Sequence, residues 1–187
     1  MRHTGTQTLQ TKRLTLRRFV CEDAEAMYKN WASDPEVTRF LSWPPHQNAE
    51  VTRAVVADWV RSYEDPSYYH WVIVLSSSQT PVGTISVVKQ DETIEMLEIG
   101  YCLGQQWWHQ GIMSEALSAV LKECFEHIGA NRVQARHDPE NPHSGMVMKK
   151  CGMHYEGILR QTMRSNRGIT DCAVYSMLRS EWPGCTK

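Results

Sequence analysis

The run Gln105–Gly111, reading QQWWHQG, stands between a strand-like stretch and a helix-like one. Before it, Glu98 to Leu103 mixes branched and aromatic residues and stops at Gly104, which suits a strand. After it, Ile112, Ala116, Leu117, Val120, Leu121, Cys124 and Ile128 recur at helical spacing, and Gly129 is a stop signal. The loop therefore sits at a helix N-terminus. The first backbone N–H groups of a helix lack an intrahelical partner, and its dipole adds about half a positive charge there. That combination binds anions, phosphate above all. A plain strand–loop–helix connection with two surface tryptophans fits the spacing equally well.

Composition narrows the classes. The chain has 187 residues, 41% of them hydrophobic and 22% charged, so one domain with one sizeable core is expected. A net charge of −1, with no run of Lys and Arg interleaved with aromatics, argues against nucleic acid or an anionic membrane as partner. The six cysteines (Cys21, Cys102, Cys124, Cys151, Cys172, Cys185) form no Cys-x-x-Cys pair, and several fall on apolar faces. Buried free thiols are expected, not a disulfide framework or a zinc site. The eight histidines are scattered, so no metal is expected. The polar start MRHTGTQTLQT has no apolar core of a secretory signal, and no run approaches the roughly 20 apolar residues of a membrane span. A cytoplasmic protein is the expectation.

The elements that position the loop follow in chain order. Residues 1–11 read as a loose start, and Leu14, Leu16 and Phe19 mark a first strand. Glu22, Asp23 and Glu25 open a helix to about Ala32, which Asp34-Pro35 ends. Trp43-Pro44-Pro45 is turn-forming. Asn48 caps a second helix whose Val51, Val55, Trp59 and Tyr63 form one face. Strands at Tyr69–Leu75, Thr84–Val88 and Thr93–Leu103 make an antiparallel meander that feeds the loop. Past the long helix, Arg132–His137 is a strand, parallel to its predecessor because a helix connects them. Asn141-Pro142 starts a short helix, with Asn141 as N-cap, and Gly152 ends it. Strands near Met153–Thr162 and Ile169–Leu178, joined by SNRG, finish the chain, and residues 180–187 read as frayed.

This order resembles that of the GCN5-related N-acetyltransferases (GNAT). The sharper resemblance is to their RimJ/RimL-like branch of ribosomal-protein N-terminal acetyltransferases. It is carried by RLTLRRF, SDPEVTRFLSW, EIGYCLGQQWWHQGIMSEAL and NPHSGMVMKKCGMHYEGILR. The fold implied is α+β: one domain, a mixed, mostly antiparallel seven-stranded sheet with a central parallel pair splayed for the cofactor, and about four helices. The co-substrate implied is acetyl-CoA, with no metal. Its diphosphate would be held by the amides of Gln106, Trp107, Trp108, His109, Gln110, Gly111 and Ile112. His109 departs from the family pattern by replacing a glycine. If the position needs a positive φ, a non-glycine there costs about 1–2 kcal/mol. The resemblance also implies that the pantetheine arm pairs with Ile99, Tyr101 and Leu103, and that Asn141 meets the cofactor near the thioester.

Acetyl transfer needs a neutral amine, a stabilised carbonyl oxygen and a donor for the leaving thiolate. Many family members use a tyrosine seven residues after the Asn for the last task; that position here is Met148. The RimL-like pattern has a serine three residues after the Asn, so Ser144 is the expected donor. Glu98 is the first candidate for the base and Glu156 the second. The acceptor is expected to be a protein N-terminal α-amine. Its cleft would be lined by Trp43–His46 and the Arg164–Arg167 hairpin, with Arg160 leaning towards a negative ligand or partner, and a homodimer is the expected assembly. A small amine (antibiotic, polyamine or amino-acid-like) and a non-catalytic acetyl-CoA-binding module remain as alternatives.

Overall fold

A computed structural model describes residues 1–184. Eight strands form one sheet in the order β1-β2-β3-β4-β5-β6-β8-β7. They are β1 Leu9–Gln10, β2 Leu14–Arg17, β3 His70–Leu75, β4 Thr80–Asp91, β5 Met96–Leu103, β6 Arg132–His137, β7 His154–Ser165 and β8 Gly168–Leu178. Every pairing is antiparallel except β5 with β6. The helices are α1 Asp23–Met27, widened through Tyr28–Ala32, then α2 Pro35–Thr38, α3 Ala49–Ser62, α4 Ile112–Lys122, widened through Glu123–Ile128, and α5 Pro142–Lys150.

Two counts differ from the sequence expectation. The eighth strand is β1, which pairs Leu9 with Leu16 inside the stretch read as loose. That stretch is packed throughout: Arg2 N–H donates to the Ile128 carbonyl (2.8 Å), Thr6 Oγ1 to the Tyr68 carbonyl (2.8 Å), and the Trp71 indole to the Gln7 carbonyl (2.7 Å). The extra helix is α2. Asp34 ends one helix and starts the next, its carboxylate accepting from Glu36 N–H with Pro35 in the first turn. At the other end Arg179–Glu181 forms a tight turn, and the Trp182 indole donates to Glu126 (2.9 Å) beside Phe125. Cys185 and the rest of the expected frayed tail lie outside the described residues. Among the described cysteines Cys102, Cys124 and Cys172 are buried free thiols, whereas Cys21 is exposed.

Helix α4 buries Ile112, Met113, Ala116, Leu117, Val120 and Leu121 against one face of the sheet, as the periodicity predicts. Each such aliphatic side chain contributes about 1.5–3 kcal/mol. The other face, over β2–β5, carries a second apolar cluster of Phe19, Met27, Trp31, Val37 and Val56. Between these layers the sheet opens. The β5–β6 pairing runs only from Met96↔Arg132 to Ile99↔Ala135, while β5 continues to Leu103. At the same level β4 carries a bulge at Val88, between the Val87↔Ile99 and Lys89↔Glu98 pairs. A bulge sharpens local twist, and so turns β5 away from β6 where their pairing stops. No helix among the described residues is long and apolar enough to cross a membrane.

Candidate active site

The gap between β5 and β6 opens into a cavity of about 420 Å³ running from α2 on one side of the sheet to α4 and α5 on the other. At the α4 end the loop is held by close packing. A Cβ on Gly104 would lie 2.4 Å from the Asn30 carbonyl oxygen and 2.6 Å from the Trp107 ring, so only glycine fits. The tryptophans are pegs, not surface residues. Trp107 is buried, and the Trp108 indole donates to the Leu103 carbonyl at 2.7 Å. Trp107 and Trp108 spend their own amides inside the turn, on Gly104 and Gln105. Gln106 and Gln110 bond to each other away from the cavity, carbonyl to amide, at 2.8 Å. Of the expected run Gln106–Ile112, the residues that line the cavity without spending their amides inside the turn are His109, Gly111 and Ile112.

Gly111 is the N-cap of α4, at φ +73°, and contributes no side-chain cap. The first intrahelical bond is Glu115 N–H to the Gly111 carbonyl, so the amides of Ile112, Met113 and Ser114 precede it. Cations surround this end. Arg13 Nη2 and Lys150 Nζ each lie 3.7 Å from where a Gly111 Cβ would sit. Arg13 also donates to the Gln110 carbonyl and pairs with Glu115 at 2.7 Å. His109 adopts φ +60°, the strained conformation that its place in the loop implied, and its ring packs edge-on against His143, centroids 4.6 Å apart. Arg13, Lys150 and His143 escaped sequence reasoning because they come from distant elements.

Ile99, Tyr101 and Leu103 line the middle of the cavity, with Asn141 and Ser144 opposite on α5. Asn141 makes no cap bond, contrary to the expectation from Asn before Pro. It sits at φ −107°, ψ 70°, outside the extended conformation of a capping residue, and its carboxamide is left to the cavity wall. The Tyr101 hydroxyl lies 2.9 Å from the Ser144 carbonyl oxygen and 3.0 Å from Ser144 Oγ. Met148 is buried in the core below.

Both expected bases are held by arginines. Glu98 is buried outside the cavity lining, accepting from Gln134 Nε2 (2.7 Å) and Arg136 Nε (2.8 Å). It alternates with Ile99 along β5 and so faces the α2 side of the sheet, where its partner Arg136 lines the cavity. Glu156 accepts two bonds from Arg132, at 2.7 and 2.6 Å, and one from the Ser176 hydroxyl. The Arg132 bonds pull its carboxyl down to about 2, which makes it a weak base.

The α2 end also differs from expectation. Its wall is Glu36, Val37, Phe40 and Leu41 with Met163, not Trp43–His46. The Trp43 carbonyl instead accepts from Asn166 at the β7–β8 turn, and the Trp43 ring packs at a tilt against His46. Arg167 is committed to Asp138 at 2.9 Å and Glu140 at 2.5 Å. Arg160 and Arg164 are exposed on β7 and do not line the cavity. Asp138, buried at the end of β6, is a lining residue that the sequence did not single out.

A cleft through a splayed sheet, cationic and amide-rich at one mouth, fits a long ligand with an anionic end, as an acyl-CoA transferase requires. Residues 13–154 match the model of the acetyltransferase (GNAT) domain. The chain is 30% identical over 182 residues to the N-acetyltransferase p20 of Bacillus licheniformis, covering 95% of this chain and 99% of that one. It is 27% identical to the ribosomal-protein-serine acetyltransferase of Escherichia coli K12, covering 87% of this chain and 85% of that one. The crystal structure of a GNAT-family acetyltransferase from Bacillus anthracis superposes with a TM-score of 0.82 at 27% identity, covering 94% and 100% of the two chains. The chain belongs to the GNAT acetyltransferase family and is an acetyl-CoA-dependent N-acetyltransferase.

Proposed function

We propose that the acceptor is the α-amine of a protein N-terminus. One observation carries this reading: both carboxylates expected to serve as base are locked in ion pairs, Glu98 with Arg136 and Glu156 with Arg132. With those two carboxylates paired, the site favours amines that are already partly neutral. At pH 7.5 about a third of an α-amine with pKa about 7.8 is neutral, against about 0.1% of a lysine amine at about 10.4. That is a preference of several hundredfold before any contact is counted. The name of the Escherichia coli relative, a ribosomal-protein-serine acetyltransferase, points the same way. An apolar wall of Val37, Phe40, Leu41 and Met163, with Glu36 for the ammonium form, suits a short chain end.

In this reading the amides from His109 into α4, with Lys150 and Arg13, hold the diphosphate. The edge of β5 from Tyr101 to Leu103 guides the pantetheine arm, and Asn141 meets it near the thioester. Acetyl-CoA supplies the activated acetyl group: the amine nitrogen bonds to the thioester carbon, the C–S bond breaks with its electron pair on sulfur, and the amine proton passes to water. Ser144 donates its hydroxyl to that sulfur. The apolar α2 wall keeps bulk water from the thioester.

Thiol release measured over a panel of peptides tests the assignment. Peptides with a free α-amine should turn over with a rate that rises to a plateau near the pKa of that amine. Nα-blocked lysine peptides and polyamines should be at least 100-fold slower. Faster turnover of a small amine would transfer the assignment to that class, and acetyl-CoA binding without turnover of any amine would leave a binding module.

A further inference from the structure

Helix α5 carries Met148 where a thiol-facing tyrosine would stand, and that side chain is buried in the core. A phenol nevertheless reaches the same helix from the sheet. Tyr101 lies two residues past the last β5–β6 pair, on the cavity wall. Its hydroxyl is within hydrogen-bond distance of both oxygens of Ser144. Among the described residues it is the one partner of the Ser144 hydroxyl.

We infer that Tyr101 is the positioning residue for the Ser144 hydroxyl, supplying from β5 the phenol that α5 lacks. This rests on Ser144 as the donor to sulfur. The phenol has one proton and two acceptors on Ser144. With that proton on the Ser144 carbonyl, the phenol oxygen accepts the serine proton and holds it in reserve. With it on Ser144 Oγ, the serine proton is turned out towards the sulfur. The change is the rotation of two O–H bonds, and no proton leaves either group. Burial pushes the phenol well above its usual range, so it stays neutral and keeps the proton the arrangement needs. A part-buried hydroxyl with a fixed partner presents its own donor in one direction, which is the preorganisation that stabilises a developing negative charge.

The test is a cycle of Tyr101→Phe, Ser144→Ala and the double variant, read as kcat, KM for acetyl-CoA and melting temperature with an N-terminal peptide as acceptor. Tyr101→Phe should lower kcat about tenfold, the size of one hydrogen bond, with KM within about twofold. In the Ser144→Ala background it should cost nothing further. Binding supplies a readout without turnover. The wild-type protein should prefer CoA to desulfo-CoA, the preference shrinking in Tyr101→Phe and vanishing in Ser144→Ala. Unchanged kcat in Tyr101→Phe, or losses that multiply in the double variant, would overturn the inference. A loss confined to KM or melting temperature would make the tyrosine structural and overturn it too. Full activity in Ser144→Ala removes the donor and the inference together. Absence of turnover in the wild type sinks only the proposed acceptor, since the desulfo-CoA comparison still reads the pair.

Discussion

At the α4 end of the cavity the ligand-facing groups are backbone amides, left bare by a glycine N-cap and held by glycine and tryptophan packing. At the α2 end they are side chains, and most of the charged ones already have partners: Arg136 with Glu98, Asp138 with Arg167. The first kind of site suits a group whose geometry never changes, such as the proposed diphosphate. The second leaves one carboxylate, Glu36, and an apolar wall, which suit discrimination by shape and by the protonation state of an amine. The contrast sets a rigid backbone site against one whose selectivity rests on which side chains are already paired.

If the α4 end depends on backbone placement, the largest effect comes from moving the backbone. Gly104→Ala puts a methyl 2.4 Å from the Asn30 carbonyl. Overpacking of that kind costs about 1–3 kcal/mol. Acetyl-CoA affinity should fall up to about 100-fold in calorimetry, with acceptor KM little changed. The α2 end should break differently. Glu98→Gln strands Arg136, and losing one partner of a buried pair costs about 3–5 kcal/mol, reduced here to about 2 because Arg136 is one-third exposed. Chemical denaturation should register that loss while kcat of the folded enzyme stays within about threefold. A kcat collapse without loss of stability would restore Glu98 as the base and erase the contrast.

Smaller effects sharpen it. Lys150→Met removes a flexible surface charge beside Gly111, so acetyl-CoA affinity should weaken about three- to tenfold at low salt and hardly at all at 1 M salt. Acid probes an ion pair outside the cavity. The folded-state pKa of Glu156 is depressed, so the unfolded chain takes up its proton first. The Arg132–Glu156 contribution is fully present above about pH 4.5 and is lost as pH falls towards 2. With Glu156 more than one-third exposed, it amounts to less than about 1 kcal/mol. Glu156→Gln should flatten stability in that window, while the amide-built end keeps its affinity for a phosphate dianion mimic until global unfolding.

The same division decides what could be read from the sequence. The α4 end is local: Gly104, the tryptophans, Gly111 and the apolar period of α4 lie within one stretch, so loop and helix were legible there. The parallel pair was legible because a helical connection fixes its direction, whereas the insertion of β8 between β6 and β7 was not. Side-chain partnerships across the sheet were not. Nothing local says that Glu98 meets Arg136, 38 residues on, or that Glu156 meets Arg132. From the sequence both carboxylates are therefore only candidate bases, with no partner to name. Asn141 misled in the opposite way, because Asn before Pro is a common cap, and only its backbone angles reveal that the carboxamide is unused.

The smallest predicted effect is the most pointed test of the α4 end. His109 holds φ +60°, where a glycine would relieve about 1–2 kcal/mol. Glycine would also loosen the unfolded chain by about 0.5–1 kcal/mol and remove the edge-on contact with His143, worth about 0.5–1.5 kcal/mol. These nearly cancel, so His109→Gly should melt within a few degrees of wild type. The histidine then persists in a strained place at no net gain in stability, which is what a ligand-facing residue would show. His143→Ala should destabilise the wild type slightly and the His109→Gly variant not at all, because its partner ring is already gone. Equal losses in both backgrounds would mean that the two rings do not act as a pair, and the loop geometry would rest on the tryptophans alone.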